Sequence, residues 1–311
     1  MTQSDVSIVI LSFRRPEFLR DAIRSVLAQT HPFREILVVD NVSDRSEEVR
    51  AVCAEFPSVV FHSTGGNLGF TGGMNRGIAL ASGERVLLTE DDLILHPDCL
   101  RHLVEEEARC GRPGLVSGIV RFTADNSICC AGGHFHLRWN FRAEFPHLNL
   151  TGEMPDKRPY DSGYVAGCTI LARTDYLRWL EGFREEFFVY CEDVDLCLRV
   201  LQQGHMLRIV PESVILHQDP PGKPISPFVD FHKRKNFMML YLLHAPLHLA
   251  FVASLKFGCM EALRGMRLSP PMRRARWAAL FWYLRNIPHI LGMRRRRPVG
   301  GWPRVVPGKA V

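Results

Sequence analysis

Two uninterrupted apolar runs, VSIVILSF from Val6 and EILVVD from Glu35, constrain the fold of this chain more than any other feature. Neither alternates polar with apolar residues, so neither suits a strand with one wet face. Both suit strands inside a parallel sheet, where crossover helices lie over both faces. The segment between them, RRPEFLRDAIRSVLAQ, supplies such a helix: Phe18, Leu19, Ala22, Ile23, Val26 and Leu27 recur at helical spacing, and Pro16 fits a first helical turn. SDRSEEVRAVCAEF continues with a capped helix presenting Val49, Val52, Cys53 and Phe56. VVFH reads as a third, short strand, GGNLGFTGGMNRG leads into a helix through Ala81, and RVLLTEDD reads as a fourth strand. Repeated βα units predict an α/β fold: an open, Rossmann-like, mostly parallel sheet flanked by helices, with ligands beyond the carboxyl ends of its strands.

The pattern weakens from Leu115 to Pro159, where short apolar runs with Gly and Pro predict an insertion walling one side of the cleft. It returns with GYVAGCTILAR as a strand and TDYLRWL as a short helix. EDVDLCLRVLQQG follows as a helix whose stripe of Leu196, Cys197, Val200 and Leu201 is closed by Gly204, and MLRIV and SVILH read as two last strands. QDPPGKPISPF, after His217, has the composition of a stiff lid.

Beyond this loop the charge changes sign. From Phe228 onward 16 Lys and Arg face only Asp230 and Glu261, so the preceding 227 residues carry a net −8 in a chain whose total is +6. An acidic body suits metal or cationic groups, and a basic tail suits phosphates of lipid or nucleic acid. Residues 237–255, FMMLYLLHAPLHLAFVASL, contain no charge, but His244, Pro246 and His248 in the middle disfavour a membrane span. With HKRKN before them and Trp277, Trp282 and Tyr283 after, an interfacial hairpin on an anionic membrane surface is expected, a buried core helix and a true span being the alternatives. Nucleic acid suits the run Arg294 to Arg297 but not the apolar stretch, and is not expected as a partner. Nine cysteines without a CxxC pair, Cys129 and Cys130 adjacent among them, read as small buried apolar residues in a reducing compartment. MTQSDVSIVILSF lacks the basic flank and cleavage site of a secretory signal, so a cytoplasmic location is expected.

The glycine-rich loop is not a dinucleotide fingerprint, which would directly follow the first strand; that junction reads SFRRPE. Three adjacent carboxylates, Glu90, Asp91 and Asp92, end the fourth strand. Burying them together is costly without a cation, and hard oxygen ligands suit Mg²⁺ or Mn²⁺; the alternative is a solvated acidic turn that caps the next segment. YCEDVDL sets Glu192, Asp193 and Asp195 at a helix start, where they are either capping residues or include a general base for a nearby hydroxyl. His217 closes the last strand as a bystander or a ligand. His134 and His136 lack a third ligand and read as surface or acceptor-cleft residues, and Met238 and Met239 read as packing.

Three blocks in order, VSIVILSFRRPEFLRDAIRSVLAQTHPFREILVVDNVSD, NLGFTGGMNRGIALASGERVLLTEDD and FFVYCEDVDLCLRVLQQGHMLRIVPESVILH, resemble the successive signatures of family 2 glycosyltransferases. These are inverting enzymes of the GT-A fold, and the bacterial rhamnosyltransferase and galactofuranosyltransferase subgroup is the most similar. The resemblance spans Val6 to His217 and implies a site. Asp40 is expected to hydrogen-bond the nucleotide base, the backbone at Ser12 and Phe13 to line its pocket, and Asn67 and Asn75 to border the nucleotide. Glu90, Asp91 and Asp92 stand at the family's DxD motif, with Asp92 as the metal-binding last acid. Glu90 replaces the usual first acid, so the ribose-facing role falls to Glu90 or Asp91. Glu192 and Asp193 match the acceptor-side pair, Asp193 being the base, and His217 completes the metal site.

The resemblance thus implies transfer of a sugar from a UDP, dTDP or GDP sugar to a hydroxyl of a glycan or lipid-linked acceptor. Mg or Mn would assist, in cell-surface polysaccharide synthesis at the cytoplasmic face of the membrane. Residues 1–227 would form the GT-A catalytic domain, with a nucleotide-sugar half to about residue 98 and an acceptor half from 99 to 227. Residues 228–311 would form a basic, apolar, helical membrane-associating extension. A non-catalytic membrane-associated scaffold of the same fold and a sugar nucleotidyltransferase are the alternatives.

Overall fold

A computed structural model of the chain describes residues 5–137, 141–218, 224–265 and 268–295. The first part alternates β1 (Val6–Ser12), α1 (Pro16–Leu27), β2 (Glu35–Asp40), α2 (Ser46–Ala54), β3 (Val59–Ser63), α3 (Gly69–Leu80) and β4 (Arg85–Glu90). β1 is buried at every position and pairs in parallel with both β2 and β4. The pairing sets Ser12 opposite Asp40 and Leu11 opposite Glu90, so these carboxylates lie at the carboxyl ends of neighbouring strands. The glycines of α3 bring that helix onto β1: a Cβ at Gly73 would overlap the Leu11 side chain, and one at Gly77 the Val9 side chain.

The second part adds β5 (Leu93–Leu95), α4 (Cys99–Cys110), β6 (Gly114–Phe122), β7 (Ile128–Cys130), β8 (His134–Leu137), β9 (Phe141–Glu144), β10 (Tyr160–Asp161), β11 (Ile170–Arg173), α5 (Thr174–Trp179), α6 (Glu192–Gln202) and β12 (Met206–His217). The main sheet runs β10-β12-β6-β11-β4-β1-β2-β3, with β5 on β12 and β7 on β6. It is mostly parallel, but β11 lies antiparallel between β4 and β6.

Three expectations are corrected here. The stretch from Leu115 opens not as an insertion but as β6, a strand of the sheet interior with Leu115, Val116, Ile119 and Val120 buried. Ser117 and Gly118 dilute its pattern, and Gly118 is needed because a Cβ would overlap the Ser213 carbonyl. GYVAGCTILAR contributes only the four residues of β11 to the sheet. MLRIV and SVILH form one strand, β12, which passes Pro211 with a register shift between Ile209 and Val214, the irregularity that proline demands in a ladder.

The C-terminal part comprises α7 (Pro227–His244), α8 (Leu247–Gly265) and α9 (Pro270–Arg295). The uncharged stretch divides at Ala245 and Pro246. Met238, Met239, Leu240 and Tyr241 of α7 are buried against Tyr283, Ile290 and Met293 of α9 and against Phe187 and Val194, so this half is a core helix. α8 instead exposes Leu247, Phe251, Val252 and Leu255. Among the described residues no helix is long and apolar enough to cross a membrane. The central residues of the expected lid, 219–223, and Arg296 and Arg297 of the basic run lie outside the described residues.

Candidate active site

A cavity of about 230 Å³ opens over the carboxyl ends of β1 and β4, with Phe13, Arg15, Asn67, Glu90, Asp91 and Tyr190 in its walls. Its floor is built by backbone register. Ser12 Oγ and the Phe13 amide each donate to Asp91 Oδ2 at 2.9 Å, which fixes that carboxylate although it is 3% exposed. Burial pushes Asp91 up to about 7 despite the neighbouring Arg15 guanidinium. Burial and the repulsion of Asp92 and Asp91 push Glu90 up to about 8. Asp92 is different: burial disfavours its charge, but the His217 hydrogen bond and Arg15 outweigh that and hold it below the usual carboxylate range.

Asp92 and His217 meet. His217 Nε2 lies 3.2 Å from Asp92 Oδ2, because β12 ends beside β5 with His217 opposite Leu93, the residue after Asp92. Burial works against the imidazolium, but Asp92 and Cys129 override it and push His217 up to about 10. The Arg15 guanidinium also donates to Asp92 Oδ2. Asp92 Oδ1 and His217 Nδ1 are buried without a hydrogen-bond partner. Among the described residues no three His, Cys, Asp or Glu side chains gather into a metal cage. An oxygen and an imidazole donor are nevertheless a workable protein share for Mg²⁺ or Mn²⁺, which keeps other positions for phosphate and water.

Asp40 is fully buried at the end of β2, and neither carboxylate oxygen makes a hydrogen bond. Burial raises its pKa, with Ser46 and Arg50 only partly offsetting this. Asn67 lines the cavity, its Oδ1 accepting from the Gly69 amide at 2.9 Å. Asn75 lies apart from the cavity: its amide is committed to Phe183 O at 2.8 Å and Glu185 at 3.2 Å, and its Oδ1 to the Phe183 amide.

The second acidic cluster opens α6. Asp193 Oδ2 accepts from Tyr164 Oη at 2.5 Å and from the Gly167 amide at 3.3 Å, and Oδ1 from the Val194 amide at 2.8 Å. Burial raises the Asp193 pKa against these three bonds. Glu192 is buried with Oε2 lacking a partner, and burial, then Asp193, then Glu90 push its pKa well above the usual range. The two clusters therefore sense one another. The turn before β11 links them: Gly167 touches Asp193, and at Cys168 burial and then the charge of Glu90 push the thiol well above its ordinary value. Asp195, which shares the motif, faces away into a buried network with Arg184, Arg199 and His244.

Reading the sequence missed Arg15, Tyr164 and Asn41. Asn41 holds the glycine-rich loop by accepting from the Leu68 amide at 2.9 Å and donating to Gly69 O at 2.8 Å. Only Arg15 carried a signal, as the cation of SFRRPE beside the strand end.

A mostly parallel sheet with Glu90 and Asp91 in a cavity above its strand ends, and with Asp193 held by Gly167 in the turn before β11, is the arrangement expected of a glycosyltransferase of the GT-A class. Residues 7–176 match glycosyl transferase family 2, and the chain belongs to this family. It is 25% identical over 258 residues to the N-acetylglucosaminyl-diphospho-decaprenol L-rhamnosyltransferase of Mycobacterium tuberculosis, covering 75% of this chain and 83% of that protein. It is 27% identical over 227 residues to the rhamnosyltransferase WbbL of Escherichia coli strain K12, covering 68% and 83%. Among solved structures, GalNAc-T7 with UDP, GalNAc and Mn²⁺ superposes with a TM-score of 0.61 at 14% identity, over 93% of this chain and 58% of that one. The Pyrobaculum calidifontis mannosyltransferase PcManGT, in complex with GDP-Man and Mn²⁺, superposes with a TM-score of 0.53 at 15% identity, over 98% and 78%.

Proposed function

We propose that the protein transfers a sugar, rhamnose being the first candidate, from a nucleoside diphosphate donor to a hydroxyl of a lipid-linked or glycan acceptor, with inversion at the anomeric carbon. The observation that carries the reading is the meeting of Asp92 and His217 at 3.2 Å beside a cavity whose wall includes Glu90 and Asp91. The sugar follows the names of the relatives from M. tuberculosis and E. coli, and the lipid-linked acceptor the decaprenol of the first.

The nucleotide would lie along Phe13 and Asn67 with Glu90 or Asp91 toward the ribose, while Asp40, fully buried with two unpartnered oxygens and outside the cavity walls, would have to be uncovered to meet the base. A divalent ion held by Asp92 and His217 would supply electrostatic stabilisation of the departing diphosphate. Arg15, in the cavity wall and bonded to Asp92, would add its positive charge beside the same diphosphate. Asp193 takes the acceptor hydroxyl proton as that oxygen attacks the anomeric carbon opposite the leaving group. Burial suits it to this task by bringing a carboxylate nearer the working pH. Glu192, with Oε2 lacking a partner, orients the acceptor. Residues 1–227 then carry the donor and acceptor halves.

The exposed apolar side chains Phe251 and Leu255 of α8 and Trp277, Phe281 and Leu284 of α9, with exposed Arg273, Arg274 and Arg285 nearby, support attachment to an anionic membrane surface, where a lipid-linked acceptor resides. A screen of nucleotide sugars for metal-dependent release of nucleoside diphosphate tests the reading, with a polyprenyl-diphosphate sugar as acceptor. One active donor that yields an inverted glycoside supports it. A retained anomer, or triphosphate consumption in place of diphosphate release, overturns it.

A further inference from the structure

The peptide that leads into α6 is held in an unusual backbone. Phe188, Tyr190 and Cys191 have φ of 66°, 69° and 66°, a region that side chains other than glycine rarely occupy, and Glu192 and Asp193 follow directly. Phe188, Val189 and Tyr190 also line the donor cavity. Such a conformation persists only when its surroundings over-determine it.

One side of the grip comes from α3: the Thr71 amide donates to Phe188 O at 3.2 Å, and Gly69 packs so closely against Phe188 that a Cβ would overlap its carbonyl. The other side comes from α7. Asn236 is fully buried, and its Nδ2 lies 2.8, 2.8 and 2.6 Å from the carbonyls of Phe187, Val189 and Tyr190. Three acceptors around one nitrogen fix the amide orientation, since the reverse placement would set oxygen against three oxygens. Lys235 Nζ donates to Glu186 O at 2.7 Å while lying 4.5 Å from the centre of the Trp282 ring of α9. His232 stacks on Phe188 at 5.2 Å, and Lys233 Nζ lies 5.0 Å from the Tyr190 ring centre.

We infer that Asn236, seconded by Lys235, is a positioning residue of the transfer reaction: α7 clamps residues 186–190 and so sets both the donor-cavity wall and the Glu192–Asp193 pair. The C-terminal helices are then part of the catalytic apparatus, not a separable anchor. The inference rests on the reading of Asp193 as the base.

The test compares three full-length variants. Asn236→Leu keeps the volume and removes the donors. Ser254→Ala removes a half-buried hydroxyl of the same helical unit, one that bonds Ala250 O and Tyr283 and no residue of 186–190. Asp193→Asn addresses the base itself. Amide hydrogen exchange and steady-state kinetics with the active nucleotide sugar are measured on each. Asn236→Leu is expected to lose protection at 186–192 while β1 and β4 keep theirs, and to lose at least ten-fold in kcat, with Ser254→Ala within two-fold of wild type. Wild-type kcat in Asn236→Leu, or an equal loss in Ser254→Ala, overturns the clamp. Full turnover by Asp193→Asn with the Asn236→Leu loss intact removes the base assignment and leaves the clamp as a device of the donor cavity alone.

Discussion

Tyr164 reaches Asp193 from outside the acidic motif and is the nearest side chain to decide how that carboxylate behaves. Its 2.5 Å hydrogen bond favours the ionised form, and burial opposes it. Removing the hydroxyl in Tyr164→Phe should raise the Asp193 pKa further, so the acidic limb of the kcat profile moves to higher pH. Loss of orientation should lower kcat on the order of ten-fold. An unmoved limb would separate Tyr164 from the base. The interest of Asp195 is the reverse: Arg199 and His244 satisfy it and hold its carboxyl far below the usual range against its burial, so it belongs to the structure of α6 and not to its chemistry. Nothing in EDVDLCL distinguishes these two aspartates. One points to Gly167, the other to Arg184, and the helix turn between them makes the difference.

Among the elements, α3 shows how a motif can be misread for chemistry. Its glycines admit close contact with β1, so Gly77→Ala should destabilise the protein by about 1 to 2 kcal/mol: overpacking against Val9 outweighs the gain in helix propensity, and urea unfolding measures the balance. A stabilised variant would show that Val9 yields. The same contrast explains what could be read in advance. β1, β2 and β4 were legible because unbroken aliphatic runs have one structural meaning, and their ends carried Asp40 and Glu90 to Asp92 with them. β6 was not, because Ser117 and Gly118 interrupt it to fit Thr169 and Ser213 across the sheet. β11 was overdrawn because the residues before it, through Gly167 and Cys168, turn beside the acids. The role of α7 was hidden by composition: the uncharged stretch that begins in its second half, next to a basic tail, suggests a membrane, whereas Asn236 acts through partners nearly fifty residues away.

Over the whole molecule, the packing of α7 makes stability depend on pH. Burial, then Lys235, push His232 down to about 4, from an ordinary value of 6.5. A histidine depressed on folding contributes fully above 6.5, and its contribution falls as the pH drops towards 4, by about 2 kcal/mol between pH 6.5 and 5. The raised carboxylates Glu90 and Glu192 act in the opposite sense, so the difference between wild type and His232→Gln isolates the histidine. Urea midpoints at pH 7 and pH 5 should fall more for wild type than for the variant, and parallel shifts would contradict this. Phe251→Asp with Leu255→Asp should abolish flotation with anionic liposomes while leaving diphosphate release intact; retained flotation would move the docking face elsewhere. The central claim is that one carboxylate serves the donor and the other the acceptor. Nucleoside diphosphate affinity in the presence of Mn²⁺ and turnover, measured together on Asp92→Asn and Asp193→Asn, test it directly. Asp92→Asn should lose metal-dependent nucleotide binding, and Asp193→Asn should bind nucleotide as wild type does while losing on the order of a hundred-fold or more in kcat. Wild-type turnover in both variants would contradict the account.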